Sequence, residues 1–252
     1  MRADHSVTRD SYTVTSDWDE FRAAVGDHPY LWSSAGLEGF TAYLGPAATV
    51  WHTSERPMIG ALGDPAAALE VVVGLVAAGV DAPRVSLPRV DHSVILEAFP
   101  GVELSDWELR WSESPPPVMA GESRVVTLDE DAAAQINAVL DAALPAAHTR
   151  PGGDRARQWF GIRADDDADG DILAVAADCT SSGVGRINSI AVRPDRHGRG
   201  LGGALTAAVT RRLRAENDFV QLGVMDSNVG AQRLYARLGF TRVHKMTSFR
   251  LG

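Results

Sequence analysis

A chain of 252 residues, 45% of them apolar, can bury one large core or two of ordinary size, which excludes disorder throughout. A net charge of −9 and a pI near 5.2 leave no cationic excess to displace counterions from a phosphate backbone, so a free nucleic acid is not an expected partner. One cysteine, Cys179, excludes an internal disulfide, and the most apolar window, 66–80, is broken by Glu70 and two glycines, so neither a secreted disulfide scaffold nor a membrane span is expected. The expectation is a cytoplasmic protein, monomer or homodimer.

In chain order, 49–52 and 58–62 read as strands, followed by a helix over 65–78 that Asp64 caps and Pro65 opens. A strand at 84–87, a short helix at 93–99 and a strand at 104–111 complete the first half. The run Ser112-Glu113-Ser114-Pro115-Pro116-Pro117 stiffens the chain and ends regular structure, which places a domain boundary between 1–117 and 118–252.

Beyond it, 123–128 alternates as a strand, and 129–144 reads as a helix with Ala133, Ile136, Val139, Leu140 and Ala143 on one face. Strands at 159–163 and 171–177 form a hairpin across an acidic turn, and 186–192 is a further strand. Then come the glycine run His197-Gly198-Arg199-Gly200-Leu201-Gly202-Gly203, a helix over 202–216, a strand at 220–225, a helix at 230–238 and a last strand from 241. The first half repeats this order. Leu87 with Leu222, Asp91 with Asp226 and Gly63 with Gly198 lie at one constant spacing.

A strand, a glycine-rich turn and a helix in succession aim backbone N–H groups and a positive helix end at one point, which suits a pyrophosphate. Gly198, Gly200, Gly202 and Gly203 keep side chains away from that point, and Arg199 adds charge. A plain flexible turn and a dinucleotide fold share this pattern. The hairpin that opens the domain speaks against the dinucleotide fold. In the first half the equivalent place holds Gly63-Asp64-Pro65, where a carboxylate fills the anion position, so coenzyme binding there is expected to be lost.

The run Ile190-Ala191-Val192-Arg193-Pro194-Asp195 with the glycine loop resembles the signature strand and coenzyme loop of the GNAT superfamily of N-acetyltransferases. The family's loop reads Gln/Arg-x-x-Gly-x-Gly/Ala; Gly200 and Gly202 fit, while His197 stands in the first position. The segment Asn228-Val229-Gly230-Ala231-Gln232-Arg233-Leu234-Tyr235-Ala236-Arg237-Leu238-Gly239-Phe240 resembles the family's Asn-x-x-Ala-x-x-Leu-Tyr-x-x-x-Gly-Phe. The resemblance implies an α/β (α+β) fold of two GNAT-like units, each a mixed, mostly antiparallel sheet flanked by helices.

It further implies acetyl-CoA as co-substrate and direct transfer to a primary amine. Ile190, Ala191, Val192, residues 197–203, Asn228 and Tyr235 would hold the coenzyme. Ala191 or Val192 would offer an oxyanion N–H, and Tyr235 would protonate the departing thiolate. Many relatives carry a carboxylate base on the signature strand, where this chain has Asn188 and Ser189, leaving Asp226, His148 or ordered water. A noncatalytic acyl-CoA-binding module and a peptide or protein N-acetyltransferase are the alternatives.

Other features carry less. Asp165-x-Asp167-x-Asp169-Gly170 matches the start of a calcium loop, but Ala176 stands where a bidentate Glu is required. The seven histidines lack paired ligand spacing, so no metal is expected. Trp18, Trp32, Trp51, Trp107 and Trp111 read as first-half core, and the arginines 211, 212 and 214 as surface charge at a helix C-terminus.

Overall fold

The computed structural model describes residues 12–26, 28–31, 38–164, 170–181 and 183–251. Two compact units emerge: one of residues 1–109, 225–227 and 244–252, the other of 110–224 and 228–243. The chain therefore crosses between units several times, where the sequence suggested one crossing after 117. The physical reason lies in the last strand, which pairs with a strand of the first unit. Trp32 and the acidic turn 165–169 fall outside the described residues.

The first unit contains β1 (Thr13–Thr15), α1 (Trp18–Val25), β2 (Thr41–Leu44), β3 (Ala48–Thr53), β4 (Met58–Gly63), α2 (Pro65–Ala77), β5 (Arg84–Pro88), α3 (His92–Ala98) and most of β6 (Leu104–Ser112). The second carries β7 (Val125–Leu128), α4 (Ala133–Ala143), β8 (Gln158–Arg163), β9 (Ile172–Asp178), β10 (Gly185–Val192), α5 (Leu201–Arg214), β11 (Val220–Met225) and α6 (Val229–Arg237); β12 (Arg242–Arg250) closes the chain. Strand, helix, three strands, helix, strand, helix, strand is the order in both halves. The elements β1, α1 and β2 are additions to those expected from the sequence.

In the first unit the sheet order is β1-β2-β3-β4-β5-β12-β6. Neighbours through β4 are antiparallel, β4 and β5 are parallel, and β12 joins β5 antiparallel from Met246↔Pro88 to Arg250↔Arg84. Side chains alternate between two cores. On one face α2 covers Val50, Ile59, Val85 and Leu87; on the other, Phe21, Tyr30, Phe40 and Trp51 gather with Met246. Trp51 is fully buried, Trp18 and Trp107 pack at the edge of this aromatic core, and Trp111 is half-buried beside Glu113.

The second unit orders its strands β11-β10-β9-β8-β7, antiparallel except for the parallel pair β10/β11. Its helix α5 packs Leu205, Val209 and Leu213 against Ile187, Leu222 and Phe160. On the opposite face α4 lays Ile136, Val139 and Leu140 over Trp159, Val175, Ala177 and Ala191. Both units thus show the mixed, mostly antiparallel sheet with flanking helices. Among the described residues no helix is long and apolar enough to cross a membrane.

One core group of the first unit titrates. The Tyr30 N–H donates to Nδ1 of His28 at 3.1 Å, and the rings of His28 and His244 meet edge to face at 4.8 Å. Burial, then the neighbouring His244, pushes the His28 imidazole down to about 4. The unfolded chain takes up that proton near pH 6.5 and the folded chain near 4. Between those values the unfolded state binds more protons, so stability is expected to fall as pH drops from 6.5 towards 4. Urea denaturation at pH 7.5 and pH 5 tests this against His28→Asn, whose side-chain oxygen still accepts from Tyr30. The variant should lose less stability than the wild type, and equal losses would contradict the assignment.

Candidate active site

Three local choices of sequence build the site. The first is the turn after β10. A single 3₁₀ turn at Pro194–Arg196 leads to His197, whose Nε2 donates to the Val192 carbonyl at 2.9 Å and ties the loop back to the strand end. His197 therefore braces the first turn in its own way. Gly198 and Gly200 follow at φ 76° and 78°, a left-handed backbone that an L side chain enters at a cost of about 1–2 kcal/mol. No atom would contact a Cβ at either, so conformation, not space, demands glycine there.

The second choice is an open helix start. Gly200 is the N-cap of α5 and supplies no side-chain cap; the first internal bond is from the Ala204 N–H to the Gly200 carbonyl. Among the described residues the N–H groups of 198–203 find no protein acceptor. They converge at the positive end of a fourteen-residue helix. Gly202 and Gly203 serve another purpose: a Cβ on Gly203 would stand 3.1 Å from Met119 and 3.4 Å from Leu234, and one on Gly202 3.4 Å from Val192. They allow α5 to lie close to its neighbours.

The matching helix start in the first unit is closed. There Asp64 Oδ1 accepts from the N–H groups of Ala66 and Ala67 at 3.1 and 2.9 Å. A side-chain carboxylate occupies the place where an external anion would bind.

The third choice is a divergence of strands. Parallel pairing of β10 with β11 runs from Gly185↔Val220 to Ile187↔Leu222 and stops, although β10 continues to Val192. A bulge between Asn188 and Ala191 shifts the register against β9, with Ser189 at φ 49°. The Arg193 N–H donates to the Leu173 carbonyl, so by antiparallel alternation the Ala191 N–H also faces β9. Those of Ile190 and Val192 point the other way, into the gap beside β11. Of the two oxyanion candidates on this strand, the alternation favours Val192.

The bulge is held from the α4 side. Ser189 Oγ donates to the Thr149 carbonyl at 2.9 Å, and the Asn188 amide lies 3.5 Å from Thr149 Oγ1. Thr149 is buried, in a loop whose neighbour Arg150 bonds Asn137, Asp141 and the Pro145 carbonyl. Nothing in the local sequence around Thr149 marks this role, because its partners lie about forty positions away. Arg124 is unmarked in the sequence for the same reason: with Ala164, Leu173, Arg196, Arg199 and Leu201 it lines a basic cleft of about 230 Å³ beside the start of α5.

Asn228 Oδ1 accepts from the Ala231 N–H at 3.0 Å and caps α6, which leaves its amide donors outside the cap. Gly239 at φ 93° ends the helix, and the Phe240 N–H reaches back to the Tyr235 carbonyl at 3.0 Å. Tyr235 is 6% exposed, among the residues that pack around Leu201, Leu205 and Val224, edge-on to Phe240. Burial pushes its phenol up to about 12, so the proton stays on throughout the physiological range. Asp226 directly follows β11 and is grouped with the first unit, with Oδ2 taken by Arg89 Nη1 at 2.7 Å, and His148 is exposed in the loop before Thr149.

A mixed sheet whose parallel pair splays next to an uncapped glycine loop, with a bulged strand on one side of the gap, is a fold of the GNAT type. The FR47-like protein family model matches residues 167–249 of the chain. A mycothiol acetyltransferase of Salinispora tropica is 43% identical over 74 residues, which cover 29% of this chain and 24% of that relative. The chain thus matches about a quarter of that relative's length. The fold is shared with a GCN5-related N-acetyltransferase from Sphaerobacter thermophilus, at TM-score 0.59 and 20% identity over 91% of this chain and 88% of that one. A GCN5-related N-acetyltransferase from Kribbella flavida gives a TM-score of 0.54 at 18% identity, covering 90% and 97%.

The brace from His197 to Val192 has a measurable consequence. His197→Ala removes one hydrogen bond that shapes the loop, a loss of about 1 kcal/mol or roughly fivefold in affinity. Calorimetry with acetyl-CoA should show that weakening for His197→Ala and near-normal binding for His197→Gln, whose amide can still donate to Val192. Equal affinities for wild type and His197→Ala would show that the loop holds its shape unaided.

Proposed function

We propose that this chain is an acetyl-CoA-dependent N-acetyltransferase that transfers the acetyl group directly to the primary amine of a small molecule. The observation that carries the reading is the uncapped start of α5 lying next to strands that part company after Ile187 and Leu222. Unbonded N–H groups at 198–203 suit a pyrophosphate, and the gap beside β10 suits a narrow chain bearing amides. Residues 1–117 act as a companion domain without coenzyme, a reading supported by the Asp64 cap. The relatives named as acetyltransferases support acyl transfer to nitrogen and leave the acceptor open.

Acetyl-CoA supplies an activated thioester. The N–H of Val192 is disposed to receive the oxygen of a carbonyl placed in the gap, and Tyr235 supplies a phenol that is protonated at neutral pH. A phenol near 12 is a weaker acid than a thiol near 8.5, so transfer of its proton alone would be uphill by roughly 3 to 4 units. Tyr235 therefore donates a hydrogen bond to the departing sulfur, and the net proton comes from the attacking amine. No carboxylate stands on β10, Asn188 and Ser189 are engaged with Thr149, and Asp226 is engaged with Arg89. The amine is deprotonated by solvent before it binds.

Two outcomes follow from these roles. Tyr235→Phe should lower kcat by about two orders of magnitude with acetyl-CoA affinity within a few fold, the size expected for a positioned hydrogen-bond donor to a developing charge. In the wild type kcat/KM should climb about tenfold per pH unit until the acceptor amine is deprotonated, because only the free base attacks. Thiol release with a panel of primary amines measures both. Tight acetyl-CoA binding without turnover of any amine would point instead to a binding module, and turnover confined to peptide termini or lysines to a protein acetyltransferase.

A further inference from the structure

The bulge in β10 reverses which edge of the strand faces β9. Before it the Arg186 carbonyl accepts from the Cys179 N–H, so even-numbered residues present their backbone groups to β9; beyond it the Arg193 N–H donates to the Leu173 carbonyl, so odd-numbered residues do. An unbulged strand would keep the even edge on β9. The Val192 N–H would then be taken up in that ladder, and the gap beside β11 would lose it. The switch is made around Ser189 at φ 49°, a left-handed backbone that L side chains seldom adopt. An unbulged strand would be free of that strain, so the bulged one has to be held.

Thr149 holds it. Its carbonyl accepts from Ser189 Oγ at 2.9 Å, and its hydroxyl lies 3.5 Å from the Asn188 amide and 3.8 Å from Cys179 Sγ, so one buried residue bonds β10 at the bulge and the residue that follows β9. Arg150 in turn ties this loop to α4. Its Nη1 reaches Asn137 Oδ1 at 3.2 Å and Asp141 Oδ1 at 2.8 Å, and its Nη2 reaches the Pro145 carbonyl at 3.0 Å. Every group in this chain of contacts belongs to the second unit. We propose that Ser189 and Arg150 are positioning residues for acetyl transfer: acting through Thr149, they hold the bulge and so keep the Val192 N–H turned into the gap. The inference rests on the acetyltransferase reading for its catalytic part and on hydrogen-bond geometry alone for its structural part. Neither side chain carries a proton of the reaction.

The test uses the full chain with Ser189→Ala, Ser189→Gly and Arg150→Gln. Amide exchange read by mass spectrometry should speed up about tenfold at 187–193 for Ser189→Ala and Arg150→Gln, as local opening becomes easier, and stay unchanged in 201–214. Unchanged exchange at 187–193 in either variant overturns the proposal whatever the enzyme does. With an accepted amine, both variants should lower kcat about tenfold with KM for acetyl-CoA within about threefold, because a misplaced oxyanion donor weakens the transition state and not the hold on the phosphates. Ser189→Gly lacks the hydroxyl but enters the left-handed backbone without strain, so it should recover most of the rate lost in Ser189→Ala. Equal losses in the alanine and glycine variants overturn the proposal, as does a loss confined to KM. The pH at which kcat/KM levels off should stay where it is in all three variants; a shift would put Ser189 or Arg150 in the proton path and overturn the positioning role. In an Arg150→Gln background Ser189→Ala should cost less than about twofold, because both act on one turn, and full additivity contradicts this. Faster exchange in a chain that binds no acetyl-CoA would remove the acetyltransferase reading and leave the hold on the bulge intact.

Discussion

The unbonded N–H groups at the start of α5 are the constraint around which the second unit is arranged. A helix normally hides its first turn behind a side-chain cap, worth about 1 kcal/mol, and α1, α2, α3 and α6 all do so through Asp17, Asp64, Asp91 and Asn228. α5 forgoes that gain. Two left-handed glycines, a histidine tied to Val192 and a close-packed pair of glycines shape a loop whose six N–H groups at 198–203 take no protein acceptor among the described residues. Such an arrangement is stable without a cap because the rest of α5 is buried nearly all round, so packing holds the helix that its own first turn does not.

The same logic explains the bulge in β10. One extra residue between Asn188 and Ala191 exchanges the faces of the strand, so that Ile187, Ile190 and Val192 all meet the α5 core while Ala191 meets the α4 core. Without it, alternation would turn the strand end away from the glycine loop. The strained Ser189 backbone is held by its own hydroxyl on the Thr149 carbonyl, which makes a loop of the opposite face part of the machinery.

Most elements were legible because their signals are local: Asp64-Pro65 starts a helix, Gly239 stops one, and Leu205, Val209 and Leu213 repeat at helical spacing. The three-residue β1 and four-residue β2 are too short for a period to show, and α1 has one buried apolar position, Phe21, to announce it. The glycine loop and Tyr235 stand in contiguous motifs and could be named from sequence. Arg89, Arg124 and Thr149 could not, since their partners lie dozens of positions distant. The pairing of the last strand was illegible for a related reason: β12 reads as a strand, but nothing in its sequence says that its partner is β5.

In the proposed reaction β10 offers an attacking amine no carboxylate, with Asn188 and Ser189 engaged by Thr149 and Asp226 by Arg89. At pH 7 an α-amino group with a pKa near 7.8 has about 10² to 10³ times more free base than a lysine-like amine near 10.4. A site that leaves deprotonation to solvent passes this ratio directly into kcat/KM, because it adds no proton acceptor of its own. A lysine side chain would need compensation through desolvation or a neighbouring cation, and Asn188, Ser189 and Thr149 are neutral. Under the proposed acyl transfer, a β10 edge without a base would therefore discriminate among amine acceptors by basicity before any pocket discriminates by shape.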